Sequence, residues 1–202
     1  MEKSKSNSNT AIKDCIVENV MQSKFGEHNF ILYSDIATLR NIYFGYCKTA
    51  FESLNEIVLL LPPYYESVSD VFSNLGNDGN IDVEKYKKEG SLVLVEPKKG
   101  YFSLTNELVG IMIMVRMLLQ RASKLEKNGV AVISDMGIFF HMNKVEELIK
   151  HERELLLSSI HNMKVKIFCC YNKADLKLLT EQQMQELLTN HNKIISTETH
   201  FS

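Results

Sequence analysis

The sequence predicts one α/β domain, a three-layer sandwich in which helices cover both faces of a mainly parallel sheet of five or six strands. Short, almost uniformly apolar runs, typical of strands buried on both faces, alternate with stretches of helical spacing. The runs lie much further apart than a hairpin turn allows, as crossovers between parallel strands require. With 45% hydrophobic residues among 202, the chain can bury one substantial core.

The start of the chain is predicted to hold a tail, a helix and the first strand. Residues 1–10 are polar, which favours a disordered tail. Apolar residues at helical spacing predict an amphipathic helix from Ala11 to Lys24, in a segment 11–25 that precedes the α/β domain of residues 26–196. The first strand is then predicted over His28–Tyr33.

The elements up to the middle of the chain repeat the alternation of helix and strand. They are predicted as a helix over Ile36–Leu54, a strand over Glu56–Leu61, helices over Tyr64–Leu75 and Ile81–Glu89, a strand over Ser91–Val95, a loop over Lys98–Tyr101 and the longest helix over Thr105–Lys127. The middle of the longest helix is apolar nearly all round. This pattern predicts burial by the sheet and by either the N-terminal helix or a second subunit, and hence a homodimer.

The clearest strand begins at Gly129 and continues as an apolar, mostly β-branched run that ends at Ser134 and Asp135. Because open α/β sheets bind ligands at the carboxyl ends of their strands, these two residues are candidates for a site. The remaining elements are predicted as an apolar loop over Ile138–His141, a helix over Lys144–Ile160 capped by Asn143, a strand over Lys164–Tyr171, a helix over Leu176–Asn190, a short strand over Lys193–Ser196 and a tail over residues 197–202.

Composition and charge argue against several classes of protein. The net charge of -2 provides no basic field for nucleic acid. No apolar run approaches the roughly 20 residues of a membrane span, and the polar start carries no signal-peptide core. The four cysteines, Cys15, Cys47, Cys169 and Cys170, form no CxxC pair, so reduced thiols in a cytoplasmic protein are expected.

The loop after the first strand lacks the features of a phosphate-binding loop. It reads Tyr33-Ser-Asp-Ile-Ala-Thr38, without the glycines and the lysine that hold phosphates. This absence argues against ordinary nucleotide hydrolysis. Asp135 nevertheless stands where the acid of a Walker-B-like motif would be, so degenerate nucleotide binding remains an alternative.

Metal-binding residue types are scattered along the sequence, with no HxxxH or CxxC spacing. His28 begins one strand and Cys169 lies near the end of another, so in a parallel sheet the two are expected at opposite edges. Cysteines inside an apolar strand are usually small buried hydrophobes rather than nucleophiles. We therefore predict no metal site, no other cofactor and no catalytic residue.

Polar side chains follow the predicted strands at what would be one edge of the sheet. They are Ser34, Asp35, Tyr64, Tyr65, Glu96, Ser134, Asp135, Tyr171 and Asn172. Acids, hydroxyls and phenols at one edge predict a small-molecule pocket of mixed polarity. The alternative is that Ser34, Asp35 and Asn172 only cap helices, which uses the same residue types. Tyr101 and residues 138–140 form either a lid over this edge or part of the core.

Short motifs along the chain, in the same order and spacing, resemble those of the MEDS domain, a sensory domain named for methanogens, methylotrophs and the dichloromethane regulator. The motifs are Gly26-Glu27-His28 before the first strand, Ser134-Asp135-Met136 after the central strand, His151-Glu152 in the next helix, Cys169-Cys170-Tyr171-Asn172 at the end of the fifth strand, and His191. His151, Asn172 and Asn192 stand where that family carries tyrosine, aspartate and proline.

The resemblance implies a core similar to RecA and KaiC that lacks a working phosphate loop. It also implies sensing of small hydrocarbon-derived or one-carbon ligands, with His28, Glu152, Cys169 and His191 as family-motif residues. We expect a non-catalytic cytoplasmic sensor that acts through a protein partner, without direct contact to nucleic acid or membrane. The alternatives are a weak ATPase-like enzyme and a scaffold without a ligand that docks through its N-terminal helix.

Overall fold

Six parallel strands form the centre of the structure, a computed structural model that describes residues 18–102 and 107–196. They are β1 (His28–Tyr33), β2 (Glu56–Leu61), β3 (Leu92–Leu94), β4 (Gly129–Asp135), β5 (Val165–Asn172) and β6 (Lys193–Ser196). Their order across the sheet is β3-β2-β4-β5-β1-β6, and every neighbouring pair is parallel. The predicted parallel α/β sheet is confirmed, and the sheet has six strands.

Helices connect the strands and cover both faces of the sheet. They are α1 (Ile36–Thr49, extended by a π-helical turn over Ala50–Leu54), α2 (Val68–Asn77), α3 (Val83–Glu89), α4 (Pro97–Phe102), α5 (Glu107–Lys124), α6 (Gly137–His141), α7 (Val145–Leu157, followed by a 3-10 turn over Ser159–Asn162), α8 (Lys173–Leu176) and α9 (Glu181–Thr189). The apolar sides of α1, α2 and α3 pack on one face, and those of α5, α7 and α9 pack on the other. The predicted three-layer sandwich is therefore confirmed.

At the carboxyl edge of the sheet, loops from some neighbouring strands run to opposite faces and leave openings between them. The chain leaves β1 and β2 towards the face that α1, α2 and α3 cover, and it leaves β4 and β5 towards the opposite face. In the strand order, β2 lies beside β4 and β5 lies beside β1. Openings between the loops at such points are where open α/β sheets hold their ligands. The end of β4 borders the opening between β2 and β4, and β5 separates it from the opening between β5 and β1.

Several connecting segments differ from the prediction. The helix predicted from Tyr64 begins at Val68, because the hydroxyl of Ser67 caps it by accepting the Asp70 N–H. The segment predicted as a loop over Lys98–Tyr101 belongs to α4, since Pro97 favours the first turn of a helix. The apolar loop predicted over residues 138–141 belongs to α6.

Helix boundaries in the second half also differ. Asn143 does not cap α7 but adopts a left-handed conformation with φ 54°, and Lys144 occupies the N-cap position. The helix predicted over Leu176–Asn190 is divided in two, because the capping box of Thr180 and Gln183 starts α9 afresh. Local capping chemistry therefore decides boundaries that apolar spacing leaves open.

The long helix α5 is buried on only one side. Ile111, Val115 and Leu118 are buried, whereas Ile113 is 48% exposed and Met117 is 63% exposed. Within the described part of this single chain the helix is therefore covered on one side, and its predicted cover by the N-terminal helix or a second subunit stays a prediction. The two exposed side chains lie one helical turn apart and form an apolar stripe.

The ends of the chain lie mostly outside the described residues, and so do the predicted tails over residues 1–10 and 197–202 and most of the predicted helix over Ala11–Lys24. Residues 18–21 are helical, and Lys24 lies beyond the end of that helix. Within the two described ranges, the helices are too short or too polar to cross a bilayer.

Candidate functional site

A buried carboxyl group marks the end of β4. The Oδ2 atom of Asp135 accepts the hydroxyl of Tyr33 at 2.5 Å, and Oδ1 accepts the backbone N–H of Gly137 at 3.0 Å. Asp135 is 2% exposed, and burial raises its pKa to about 7. The nearby carboxylates Asp175 and Glu66 act in the same direction, whereas the two hydrogen bonds oppose it. This carboxyl group can therefore gain or lose a proton near neutral pH.

The partner of Asp135 comes from a strand that is not its neighbour. Tyr33 ends β1, and β5 lies between β1 and β4. The tyrosine side chain therefore reaches across the end of one strand on the face that α1 covers. The sequence analysis did not name Tyr33 as a site residue, because it treated this tyrosine as the last apolar residue of a strand. Its position directly before Ser34 and Asp35, at the same strand end, could have indicated that it belongs to the site.

The hydroxyls of Tyr101 and Ser134 form a second buried pair, 2.6 Å apart, on the other face of the sheet. The ring of Tyr101 packs edge-on against Phe139 and against His151. Tyr101 is 3% exposed and Phe139 is fully buried, so both are part of the core and neither covers the edge as a lid. Of the two possibilities that the sequence left open for these residues, the structure selects the core.

An open groove of about 770 Å³ lies beside this edge, between the loop after β2 and the end of β3. Its walls include Tyr64, Tyr65, Glu66, Val95, Glu96 and Lys99. The ring of Tyr64 stacks on His141 with a centroid distance of 4.2 Å, and Glu96 pairs with Lys99 at 2.9 Å. Three of the predicted residues, Tyr64, Tyr65 and Glu96, therefore belong to one surface of mixed polarity.

Three of the predicted rim residues act as caps or support a cap. The carboxylate of Asp35 accepts the N–H of Thr38 at 2.9 Å and caps α1, and the hydroxyl of Ser34 donates to it at 3.0 Å. The side chain of Asn172 accepts the N–H of Ala174 at 2.8 Å and caps α8. For these residues the capping alternative describes what the structure shows.

Tyr171 does not turn towards the groove. Its ring stacks on Phe30, and its hydroxyl donates to Oε1 of Glu152 at 2.5 Å on the face covered by α7. The predicted convergence of all the rim residues on one pocket is therefore wrong for Tyr171. Alternation of side chains along β5 sends this residue into the core, next to a second group of polar side chains.

This second group consists of His28, Glu152, Cys169 and His191. Nε2 of His28 lies 2.8 Å from Oε2 of Glu152 and 3.3 Å from Sγ of Cys169. Nε2 of His191 lies 3.4 Å from the same carboxylate oxygen. One potential ligand atom from each residue lies within 4.8 Å of all the others. These four side chains could therefore hold a metal ion.

The expectation that His28 and Cys169 lie at opposite edges of the sheet is wrong. His28 is opposite Ile167 in the register of β1 with β5, two residues before Cys169. Side chains two residues apart point to the same face, and an imidazole is long enough to reach the diagonal position. Burial lowers the pKa of His28, and burial raises the pKa of Cys169 well above its usual range.

The raised pKa of Asp135 predicts a pH-dependent stability. The stabilisation by this carboxyl is fully present below the ordinary carboxyl pKa of about 4. Between that pH and about 7 the folded protein holds the proton while the unfolded chain releases it, so the free energy of unfolding falls as the pH rises through this window. Relative to Asp135→Asn, the wild type should lose about 2–3 kcal/mol of unfolding free energy between pH 5 and pH 8.

Urea denaturation of the wild type and of Asp135→Asn at several pH values measures this difference. The contributions of the other titrating groups are the same in both proteins and cancel when the two unfolding free energies are subtracted. Asp78→Asn, which removes an exposed carboxyl at the end of α2, is the control. A difference between wild type and Asp135→Asn that stays constant from pH 5 to pH 8 would contradict a carboxyl pKa near 7.

The sequence matches the family described as MEDS, the MEthanogen/methylotroph, DcmR Sensory domain, over residues 27–192. The matched segment includes all four residues of the buried group and both members of the Asp135–Tyr33 pair. No curated protein matches the sequence.

Solved structures from the archaeon Pyrococcus horikoshii share the fold. The KaiC-like protein PH0186 has a TM-score of 0.54 and 13% identity, covering 85% of this chain and 71% of that one. The uncharacterized protein PH0321, solved in complex with an unknown peptide, has a TM-score of 0.65 and 8% identity, covering 91% and 82%. PH0250 has a TM-score of 0.54 and 12% identity, covering 91% and 88%. At these identities the likeness shows the fold alone, which is of the KaiC and RecA type.

Proposed function

The chain belongs to the MEDS family of sensory domains, and from this premise we propose that it is a non-catalytic sensor that binds a small molecule and signals through a protein partner. The ligand site in this proposal is the carboxyl edge of the sheet, around Asp135, Tyr33 and the adjoining groove. The observation that carries it is the buried Asp135 carboxyl, whose pKa is raised to about 7 at the point where the crossover loops part.

The lining of the groove supports a small organic ligand with an apolar body and one or two polar groups. The exposed rings of Tyr64 and Tyr65 supply apolar surface, and the Glu96–Lys99 pair supplies charge of both signs. The loop that carries Tyr64 also lies close to the buried carboxyl, and Gly137 lies between the two. A methyl group built on Gly137 would be 2.8 Å from Oδ1 of Asp135 and 3.7 Å from the ring of Tyr64. Small hydrocarbon derivatives and one-carbon compounds are the first candidates.

The start of α1 does not favour a nucleotide triphosphate as the ligand. A phosphate at this position would need free backbone N–H groups and a cation. The carboxylate of Asp35 instead accepts the N–H of Thr38 there and places a negative charge at the helix start. A phosphate group would meet like charge, which agrees with a sensor that does not hydrolyse ATP.

The exposed stripe of Ile113 and Met117 provides a surface through which ligand binding could reach a partner. Helix α5 leads directly into β4, the strand that ends at Asp135. A shift of β4 on ligand binding would therefore be passed to α5 through the chain itself. The partner in this proposal is another protein or a second copy of this chain.

A thermal-shift screen of the full chain against small alcohols, amines, halogenated one-carbon compounds and ATP tests the proposal. A ligand at about 100 times its Kd should raise the Tm by roughly 5–10 °C. Tyr33→Phe, which removes the hydroxyl on Asp135, should reduce that shift, whereas Tyr86→Phe, on the distant helix α3, should leave it unchanged. The absence of any shift, or ATP turnover that Asp135→Ala abolishes, would count against a non-catalytic sensor.

A further inference from the structure

The buried group of His28, Glu152, Cys169 and His191 has more acceptor atoms than its hydrogen bonds use. Nδ1 of His191 lies 2.7 Å from the carbonyl oxygen of Leu187, so it carries the proton and donates it. In the neutral ring the other nitrogen, Nε2, then has a bare lone pair. Nε2 of His191 is buried without a hydrogen bond, 3.4 Å from Oε2 of Glu152, and that oxygen has only the ring nitrogen of His28 beside it at 2.8 Å.

Two bare acceptors that face each other in the core repel, so either a proton on His191 Nε2 or a metal ion must join them. The surrounding contacts fix the orientation of both groups. Tyr171 donates to the other carboxylate oxygen of Glu152 at 2.5 Å, which leaves Oε2 directed at the two histidines. Hydrogen bonds of this kind, donated by one ring nitrogen to a carbonyl and by a hydroxyl to a carboxylate, are typical of the outer shell of metal sites.

We propose that His28, Glu152, Cys169 and His191 together bind one divalent first-row transition metal ion, with Zn²⁺ as the ion that fits best. Two imidazoles, one carboxylate and one thiolate are donors that Zn²⁺ accepts in tetrahedral sites. The charges also balance, because a carboxylate and a thiolate neutralise a divalent ion. A neutral site of this kind can be buried without an uncompensated charge.

The distances suit a tetrahedral site after small movements. Zn²⁺ lies about 2.0–2.3 Å from nitrogen, oxygen and sulfur ligands, which places neighbouring ligand atoms roughly 3.3–3.8 Å apart. Three of the separations here are 2.8, 3.3 and 3.4 Å, and all six are no more than 4.8 Å. Cys169 would lose its proton on binding the ion, as coordinating thiols do.

The site would join parts of the chain that are distant in sequence. His28 begins β1, Glu152 lies in α7, Cys169 lies in β5, and His191 precedes β6. His191 lies in the loop between α9 and β6, and its side chain is fully buried. This proposal is independent of the ligand proposed at the carboxyl edge, because it uses none of the residues assigned there.

Equilibrium dialysis of the full, chelator-treated chain against Zn²⁺ tests the proposal directly. We expect one equivalent of Zn²⁺ per chain, released again by a strong chelator. Co²⁺ in place of Zn²⁺ should give the visible bands of a tetrahedral ion and a near-ultraviolet band for charge transfer from sulfur to cobalt. Tyr171→Phe should keep these bands and weaken metal affinity by about 10–100-fold, as the loss of an outer-shell hydrogen bond does.

Variants locate the site. Cys169→Ser should abolish the sulfur-to-cobalt band, and His191→Gln should abolish stoichiometric binding. Cys170→Ser is the matched control, because Cys170 is the adjacent cysteine on the opposite face of β5 and should leave the band intact. Circular dichroism reports whether each variant is folded. Failure of the wild type to bind Zn²⁺ or Co²⁺ stoichiometrically would overturn the proposal, and so would a sulfur band that Cys170→Ser removes and Cys169→Ser retains.

Discussion

Lys166→Met should lower the free energy of unfolding by about 3–5 kcal/mol, because it leaves a buried carboxylate without its cation. Nζ of Lys166 lies 2.7 Å from Oε1 of Glu56, and their side chains are only 6% and 2% exposed. The other oxygen, Oε2, accepts the hydroxyl of Tyr46 at 2.6 Å. Methionine fills a similar volume but carries no positive charge to pair with the carboxylate of Glu56. Urea denaturation, with the midpoint and the slope both fitted, measures the loss.

Two further variants separate charge from packing. In Lys166→Met/Glu56→Gln the glutamine can still accept the Tyr46 hydroxyl and carries no charge, so the double variant should be more stable than Lys166→Met. Lys193→Met removes the cation of a more exposed pair, with Glu27 at 3.0 Å, and should cost no more than about 1 kcal/mol. Equal losses for Lys166→Met and Lys193→Met would show that the buried pair contributes no more than a surface one.

Gly26→Ala should lower the free energy of unfolding by about 3 kcal/mol or more. Gly26 has φ +86°, where residues with a side chain are strained, and an added Cβ would lie 2.4 Å from the backbone oxygen of His161. The N–H of Gly26 also donates to Val165 at 2.7 Å, so the backbone cannot move away without losing this bond. His28 lies two residues further along the chain, so the substitution should also disturb the buried group of His28, Glu152, Cys169 and His191.

Gly76→Ala is the matched control for this prediction. Gly76 lies inside α2, and the nearest atom to an added Cβ is 3.8 Å away on Val83, an ordinary contact distance. Alanine there should raise the free energy of unfolding by about 0.5–1 kcal/mol, since it favours the helical backbone. If both glycine substitutions have the same effect in urea denaturation, the close approach to His161 does not determine the cost at Gly26.

The two candidate sites differ in how far the sequence could reveal them. Asp135 was found because a carboxylate directly after an apolar strand is visible as a local pattern. Its partner Tyr33 was missed, although it ends another strand, because the pairing of two strand ends depends on which strands are neighbours. Tyr64 and Glu96 were predicted and do line one groove, since each follows a strand at the same edge.

The sequence by itself determined five strands, a possible sixth, the parallel crossovers and the absence of a phosphate-binding loop, because each of these is encoded within a short stretch of residues. Only the tertiary structure decided that His28, Glu152, Cys169 and His191 meet. Their separation along the chain hides any ligand spacing, and the order β4-β5-β1-β6 brings them to one face. Strand order follows from how the crossovers pack over the whole sheet, a long-range property that local patterns of hydrophobicity and capping do not specify.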